Sequence, residues 1–292
     1  MILVADGGST KVDWIAIDND KNEIFRTSTL GLNPNVVSPL ELQSRLENSS
    51  KLKEYKDSIS EIYFYGAGLG TLSPINLLRS IFETFFKNTK NITVKEDILG
   101  AAYASAKNEK AIVCILGTGA NSCYYDGENI ECIAPSLGYI IMDEASGNYF
   151  GKRLIRDYFY KKMPADIAAA FNDEFDLTPD VLKLNLYKVD NPNKYLASFA
   201  KFMFHHQENA YIRKLVMNGF KKFFMFHVLN YNKSKNTPIY FIGSIAYYFG
   251  DLLREEAEKN GVKITGIIAK PIDHLIEYHK EFIVSERNKK AS

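Results

Sequence analysis

An α/β fold built from two copies of one unit is what this sequence predicts. Three observations carry the prediction. Short apolar runs alternate with stretches of helical spacing along most of the chain. The series strand, glycine-hydroxyl turn, strand, polar turn stands at the start and returns about 110 residues later. The composition, 46% apolar and 24% charged over 292 residues, supports a packed core in one large domain or two of ordinary size.

Taken in order, residues 2–5 and 12–18 read as a hairpin around Asp6-Gly7-Gly8-Ser9-Thr10, and 23–29 as a third extended segment. Residues 40–52 have helical spacing, with Pro39 suited to the first turn. A short buried strand over 61–65 ends at Gly66-Ala67-Gly68; a helix over 74–86 and a strand over 92–94 follow. The small apolar residues of 99–106 suit a helix packed close against a neighbour. Then the opening returns. Residues 111–116 form a strand, Gly117-Thr118-Gly119-Ala120-Asn121-Ser122 a glycine-hydroxyl turn, and 123–125 a strand before the hairpin signal Asp126-Gly127. The domain boundary falls near Asn108-Glu109-Lys110, giving domains 1–110 and 111–292. Residues 149–231 are mostly helical, with Thr178-Pro179-Asp180 a helix start. A strand over 239–242 breaks at Gly243-Ser244, a helix over 251–259 ends at Gly261, and a strand over 264–268 leads to a last helix. That helix, about 272–285, is expected to pack back on the N-terminal domain.

Several function classes drop out. A net charge of +1 gives no case for a nucleic-acid or membrane surface, and the basic cluster Arg287, Lys289 and Lys290 reads as a solvated tail. No run approaches the ~20 apolar residues of a membrane span, and the first residues lack the features of a secretory signal, so a cytoplasmic location is expected. Cys114, Cys123 and Cys132 have neither disulfide nor metal-ligand spacing. No GxxxxGK[ST] occurs; Gly66-Ala67-Gly68-Leu69-Gly70 lacks the last glycine of a dinucleotide loop; His205-His206 and residues 220–226 read as helix packing.

The two glycine-hydroxyl turns carry the chemistry. A tight glycine turn exposes backbone N–H groups and lets an anion approach them. Two such turns facing each other would hold a polyphosphate, with Ser9, Thr10, Lys11 and Thr118 adding donors. Asp6, at the end of the strand leading into the first turn, would then hold Mg²⁺ through water. Gly243-Ser244 offers a third place where backbone can lie flat against a ligand. Asp97 follows a strand and opens a helix; a carboxylate there serves as a proton acceptor, as a helix N-cap, or as both. Asn33 and Asn35, flanking a proline, serve either as sugar-hydroxyl ligands or as turn formers.

Together, Asp6-Gly7-Gly8-Ser9-Thr10-Lys11, Leu116-Gly117-Thr118-Gly119-Ala120-Asn121-Ser122 and Gly243-Ser244-Ile245-Ala246 resemble the first phosphate, second phosphate and adenosine motifs of the actin-like sugar kinase and Hsp70 ATPase superfamily. Gly31-Leu32-Asn33-Pro34-Asn35, Glu96-Asp97-Ile98-Leu99-Gly100-Ala101-Ala102 and Met142-Asp143-Glu144-Ala145-Ser146-Gly147 resemble the BadF/BadG/BcrA/BcrD ATPase family, and within it the N-acetylglucosamine kinases. The resemblance implies duplicated ribonuclease H-like domains with a cleft between them, and an ATP- and Mg²⁺-dependent kinase. It would phosphorylate an amino sugar, N-acetylglucosamine at the 6-hydroxyl first of all, with N-acetylmuramic acid and glucosamine as other acceptors. It assigns Asp97 as general base; Asn33, Asn35, Asp97, Thr118 and Asp143 to the sugar; and Asp6 through Lys11, Gly117, Thr118, Gly119, Gly243 and Ser244 to the nucleotide. Asp6 and Asp143 would hold the metal through water. A homodimer is one expected assembly. Two positions depart from the family pattern: Ala145 stands where glycine is usual after Asp-Glu, and His274 stands where relatives tend to have glycine. The roles of Glu144 and His274 stay open. Two other readings remain within the family: the ATPase activators that share its name bridge an iron–sulfur cluster and need paired cysteines, which this chain does not offer, and a regulatory protein that keeps the fold without catalysis is opposed by the presence of both Asp6 and Asp97.

Overall fold

The computed structural model describes residues 1–232 and 234–284. Arg287, Lys289, Lys290 and the end of the last helix expected over 272–285 lie outside the described residues. The chain divides into two units. Among the described residues, the first comprises Met1–Val113, Tyr125–Ile130 and the segment from Lys270 to Val284; the second comprises Cys114–Tyr124 and Glu131–Ala269.

The first unit holds β1 (Ile2–Gly7), β2 (Lys11–Ile17), β3 (Glu23–Leu30), α1 (Pro39–Glu47), α2 (Ser50–Tyr55), β4 (Glu61–Gly66), α3 (Leu72–Phe85), β5 (Asn91–Glu96) and α4 (Asp97–Ala106). Its sheet runs β3-β2-β1-β4-β5. β1 and β2 pair antiparallel around the glycine-hydroxyl turn, and β4 and β5 run parallel to β1. β1 is apolar on both faces because both are covered. Leu3 and Ala5 join a core around Trp14, Phe64 and Phe82, each fully buried. Ile2 and Val4 face the other way, toward Ile15, Ile17 and Tyr65. Each large apolar side chain so buried contributes about 1.5–3 kcal/mol relative to exposure.

The helix expected over 40–52 is two helices. Ser38 caps α1, with Pro39 in its first turn. The chain then breaks at Asn48 and restarts where the Ser49 hydroxyl accepts from the Leu52 N–H, a local bond that competes with continuation. In α4, Gly100 lies where a Cβ would meet the Tyr65 Cβ at 2.6 Å, so the small-residue face lets this helix settle onto β4.

After β6 (Ala111–Leu116), β7 (Ala120–Tyr125) and β8 (Ile130–Glu131), the chain enters a helical stretch: α5 (Gly147–Phe159), α6 (Ala165–Glu174), α7 (Pro179–Tyr187), α8 (Pro192–Phe199), α9 (Lys201–His205) and α10 (Ala210–Phe223). α10 runs on as a π-helical turn, Phe224–Val228. Then come β9 (Ile239–Ile242), α11 (Ser244–Tyr248), α12 (Gly250–Lys259), β10 (Ile264–Ile268) and α13 (Ile272–Tyr278), the last continued by a π-helical turn, His279–Val284. The second sheet runs β10-β9-β6-β7-β8, with β9 and β10 parallel. Phe220, Phe223 and Phe224 are fully buried, whereas Met225 and Phe226 are about half exposed, so the stripe expected over 220–226 is core only in part. His206 lies against Phe202 at 4.2 Å between ring centroids. Within the first unit, Ile272, Leu275 and Ile276 of α13 cover the Ile2–Val4 face of β1. Among the described residues, no helix is long and apolar enough to cross a membrane.

Candidate active-site residues in each unit

In the first unit, register builds the site. Gly7 of β1 pairs with Gly66 of β4, and Gly66 with Glu96 of β5. Three parallel strands therefore end level, and the next residues, Gly8, Ala67 and Asp97, leave the sheet along one carboxyl edge. Crevices beside such an edge are where open α/β sheets bind ligands. Asp97 is two strands from Gly8, about 10 Å at ordinary strand spacing. It is the first residue of α4, while Glu96 holds the N-cap position.

The turn and the asparagine loop are knit together. The Asn33 Nδ2 donates to Ser9 Oγ at 2.8 Å, and Gly31 N–H donates to the Thr10 carbonyl at 3.0 Å. Asn35 N–H donates to Asn33 Oδ1 at 3.0 Å, and Asn35 Nδ2 to the Gly68 carbonyl at 3.1 Å. Arg45 of α1, buried and paired with Glu41 at 2.8 Å, donates to the Gly31 carbonyl. Ala67 N–H reaches the Gly7 carbonyl at 2.7 Å. The loop after β4, which sequence reasoning set aside, is thus part of the wall around Asn33 and Asn35.

Lys11 lies on β2 and pairs with Asp13 at 2.6 Å. Asp13 stands opposite Asp6 in the β1–β2 ladder, a carboxylate the sequence reading missed although the hairpin register could have found it. Burial pushes the Asp6 carboxyl up to about 7; Asp13 adds to the rise and Lys11 opposes it. A carboxylate held so unfavourably has reason to meet a cation.

In the second unit, the glycine turn after β6 is fixed from behind. The first amides of α5, Gly147 and Asn148, donate to the Gly117 and Thr118 carbonyls at 2.8 and 3.0 Å. The carbonyl side of the turn is thereby engaged by a helix N-terminus. Gly243 lies beside it at φ 112°, where a Cβ would meet the Leu116 carbonyl oxygen at 2.5 Å; only glycine fits both the space and the backbone. Its N–H donates to the Ile268 carbonyl at 2.9 Å, and Ser244 next to it is exposed. The Gly117–Gly119 and Gly243-Ser244 segments are neighbours.

Asp143 is 6% exposed and stands over Gly119, where a Cβ would meet its Oδ2 at 2.9 Å. Its Oδ1 accepts the Ala120 N–H at 3.1 Å and its Oδ2 accepts Asn148 Nδ2 at 3.4 Å. Burial raises its pKa, and these two bonds oppose the rise. Asn148 is buried, and its Oδ1 has no partner. The Glu144 carboxylate faces His227, with Oε2 3.9 Å from Nε2. His274 is exposed on α13. Lys152, one turn after Asn148 on α5, donates to the Tyr139 carbonyl in the segment leading to Asp143. Sequence reasoning missed Asn148, Lys152 and His227.

These groups fit a nucleotide and a magnesium ion. Each unit offers hard oxygen of the kind magnesium takes: Asp6 in the first, and in the second Asp143 and the orphaned buried amide oxygen of Asn148. No cluster of three His, Cys, Asp or Glu side chains suited to a metal exists among the described residues.

No protein-family model matches the sequence, and a search of curated proteins gives no match. Solved structures do match. A provisionally named N-acetylglucosamine kinase from Porphyromonas gingivalis is 34% identical over 97% of this chain and 100% of its own, with a TM-score of 0.87. The chain belongs to that sugar-kinase family. Its class is that of an ATP-dependent carbohydrate kinase. A provisionally named N-acetylglucosamine kinase from Chromobacterium violaceum shares the fold at 13% identity and a TM-score of 0.75, covering 95% of this chain and 98% of its own. So does a glucokinase from Streptomyces griseus, solved with glucose and AMPPNP, at 11% identity and a TM-score of 0.53, covering 96% and 98%. The fold is the α/β actin-like ATPase fold expected from the paired motifs.

Proposed function

We propose that this kinase transfers the γ-phosphoryl group of ATP to the 6-hydroxyl of an amino sugar, with N-acetylglucosamine the leading acceptor, and that it is a BadF/BadG/BcrA/BcrD-type member of the superfamily. One observation carries the reading: Asp97 leaves its strand level with the Gly8-Ser9-Thr10 turn, on the edge where Asn33 and Asn35 are braced. A kinase acting on an alcohol needs a carboxylate to accept the hydroxyl proton and a polar wall to hold the nucleophile in line. Asp97 is the base in this reading. Asn33 and Asn35 hold the sugar, with Asp143 and Thr118 as further contacts. The 34% identity over nearly the full length of a provisionally named N-acetylglucosamine kinase supports the choice of acceptor.

The triphosphate goes to the turn Gly117–Gly119, where the Gly117 N–H closes the turn on the Gly119 carbonyl at 3.0 Å and leaves the Thr118 and Gly119 amides as the donors, and to the Gly7–Lys11 turn, and the nucleoside to Gly243-Ser244. Magnesium, held through water by Asp6 and Asp143, would neutralise charge on the phosphoryl oxygens. Asp97 takes the proton from the 6-hydroxyl oxygen as that oxygen bonds to phosphorus and ADP leaves. Water must be kept from the same phosphorus, or ATP is hydrolysed.

The iron–sulfur activator reading is disfavoured by burial: Cys114 and Cys123 are both fully buried in strands. The test is ADP release from MgATP with N-acetylglucosamine, N-acetylmuramic acid, glucosamine, glucose or no sugar. Release that depends on an amino sugar supports the proposal; equal slow release with every sugar overturns it.

A further inference from the structure

The Asp143-Glu144-Ala145 turn is held in a costly shape. Asp143 has φ 72° and Ala145 has φ 60°. Aspartate tolerates that region; alanine pays for it, and Ala145 is fully buried there. Something must hold the turn. Ser146 N–H donates to the Asp143 carbonyl at 3.1 Å, and the Ser146 hydroxyl caps α5 by accepting the Tyr149 N–H at 3.2 Å. These bonds secure the downstream end. Glu144, between the two strained residues, faces His227, with Nε2 and Oε2 3.9 Å apart.

His227 is itself fixed. Its Nδ1 lies 3.0 Å from Ser122 Oγ, which also meets the Tyr231 hydroxyl at 3.2 Å. Its ring stacks on Phe223 at 4.4 Å and 12° between planes. The π-helical turn Phe224–Val228, closed by Leu229 N–H to the Phe224 carbonyl at 2.9 Å, carries it. Such turns are rare and frequently lie at functional sites. Ser122 lies two residues from Ala120 on β7, on the same face of the strand, and the Ala120 N–H is the donor to Asp143 Oδ1. One strand therefore braces the turn twice, directly at Asp143 and through His227 at Glu144.

We infer that His227 is a positioning residue for the phosphoryl transfer: anchored by Ser122, which Tyr231 contacts in turn, it holds Glu144 and so keeps the strained turn from relaxing and carrying Asp143 off its place over Gly119. The inference rests on the kinase reading and on Asp143 taking part in it. Ser122, His227 and Glu144 form no hydrolytic triad, because Ser122 is 4% exposed and already shared with Tyr231.

The test uses the full chain and its best sugar. His227→Ala lowers kcat about tenfold, the order expected when a reacting contact is displaced by a fraction of an ångström. His227→Gln, which keeps an acceptor for Ser122 and a donor for Glu144, stays within about twofold of wild type. Adding Ala145→Gly to His227→Ala restores most of kcat, because glycine occupies the same φ without a brace. A lesion in fold stability would not be repaired this way. Should His227→Ala fail to fold, Ser122→Ala with and without Ala145→Gly puts the same question. An unchanged kcat in His227→Ala, or a loss that glycine does not repair, overturns the inference. A wild-type protein with no sugar-dependent ADP release would instead overturn the kinase reading beneath it.

Discussion

Asp97 owes its position to register. A strand that ends one residue late would carry its side chain to the other face, and the pairing of Gly7, Gly66 and Glu96 fixes where Asp97 begins. Asp97→Asn keeps the shape and removes the base. It is expected to lower kcat by about 10²–10⁴, the usual range for general-base loss, with little change in the KM for ATP; steady-state kinetics decide it. A carboxylate that only began the helix would leave kcat near wild type. Ala145 is a separate case. Glycine there saves about 1 kcal/mol of backbone cost and loses about 0.8 kcal/mol of buried methyl, so Ala145→Gly alone should be nearly neutral in chemical denaturation. Ala145→Val, β-branched in the same conformation, should cost more than about 2 kcal/mol. Equal stability of the two variants would contradict the strain assigned to this turn.

At the scale of elements, the last helix makes its own prediction. His279, in the π-helical turn after α13, is fully buried, with Nε2 3.0 Å from the Tyr65 hydroxyl and Nδ1 unpartnered. Burial pushes its pKa down to about 3. The unfolded chain takes up this proton near pH 6.5, whereas the folded protein refuses it until about pH 3. Stability is therefore full above about 6.5 and falls as pH drops through that window, by about 1.4 kcal/mol per unit from this group. His279→Gln should flatten the slope by one proton between pH 6 and 4, read from denaturation midpoints. An unchanged slope would mean the histidine takes up its proton in the folded state. The elements themselves were largely legible, because the alternation of short apolar runs with glycine turns and helical spacing survives folding directly. The break at Asn48 and Ser49 was not, since it depends on a hydroxyl choosing a cap over a helix. The π-helical turns were not either; the apolar stripe from Phe220 continues through them without a change of period.

At the scale of the whole molecule, the duplicated strand-turn-strand pattern pointed to the α/β actin-like fold, because each copy repeats residue types that only a shared turn geometry explains. Much of the candidate site was visible for the same reason: Asp6, Asp97 and the two glycine turns are local in sequence. Asp13, Asn148 and His227 were not, because each acts through a neighbour. Asp13 faces Asp6 only once the hairpin register is known, and His227 meets Glu144 across 83 residues of chain. If Asp6 and the glycine turns hold MgATP, the nucleotide stabilises the folded state by mass action. At a hundred times Kd the gain is about 2.7 kcal/mol, a melting shift of several degrees. Asp6→Asn should reduce that shift, and an equal shift in the variant would remove Asp6 from nucleotide binding.

The central claim is sugar phosphorylation with Asp97 as base. The most direct measurement is ADP release from MgATP with N-acetylglucosamine present or absent, for wild type and Asp97→Asn side by side. The prediction is release that requires the sugar and falls by orders of magnitude in the variant. Release indifferent both to the sugar and to residue 97 would contradict it.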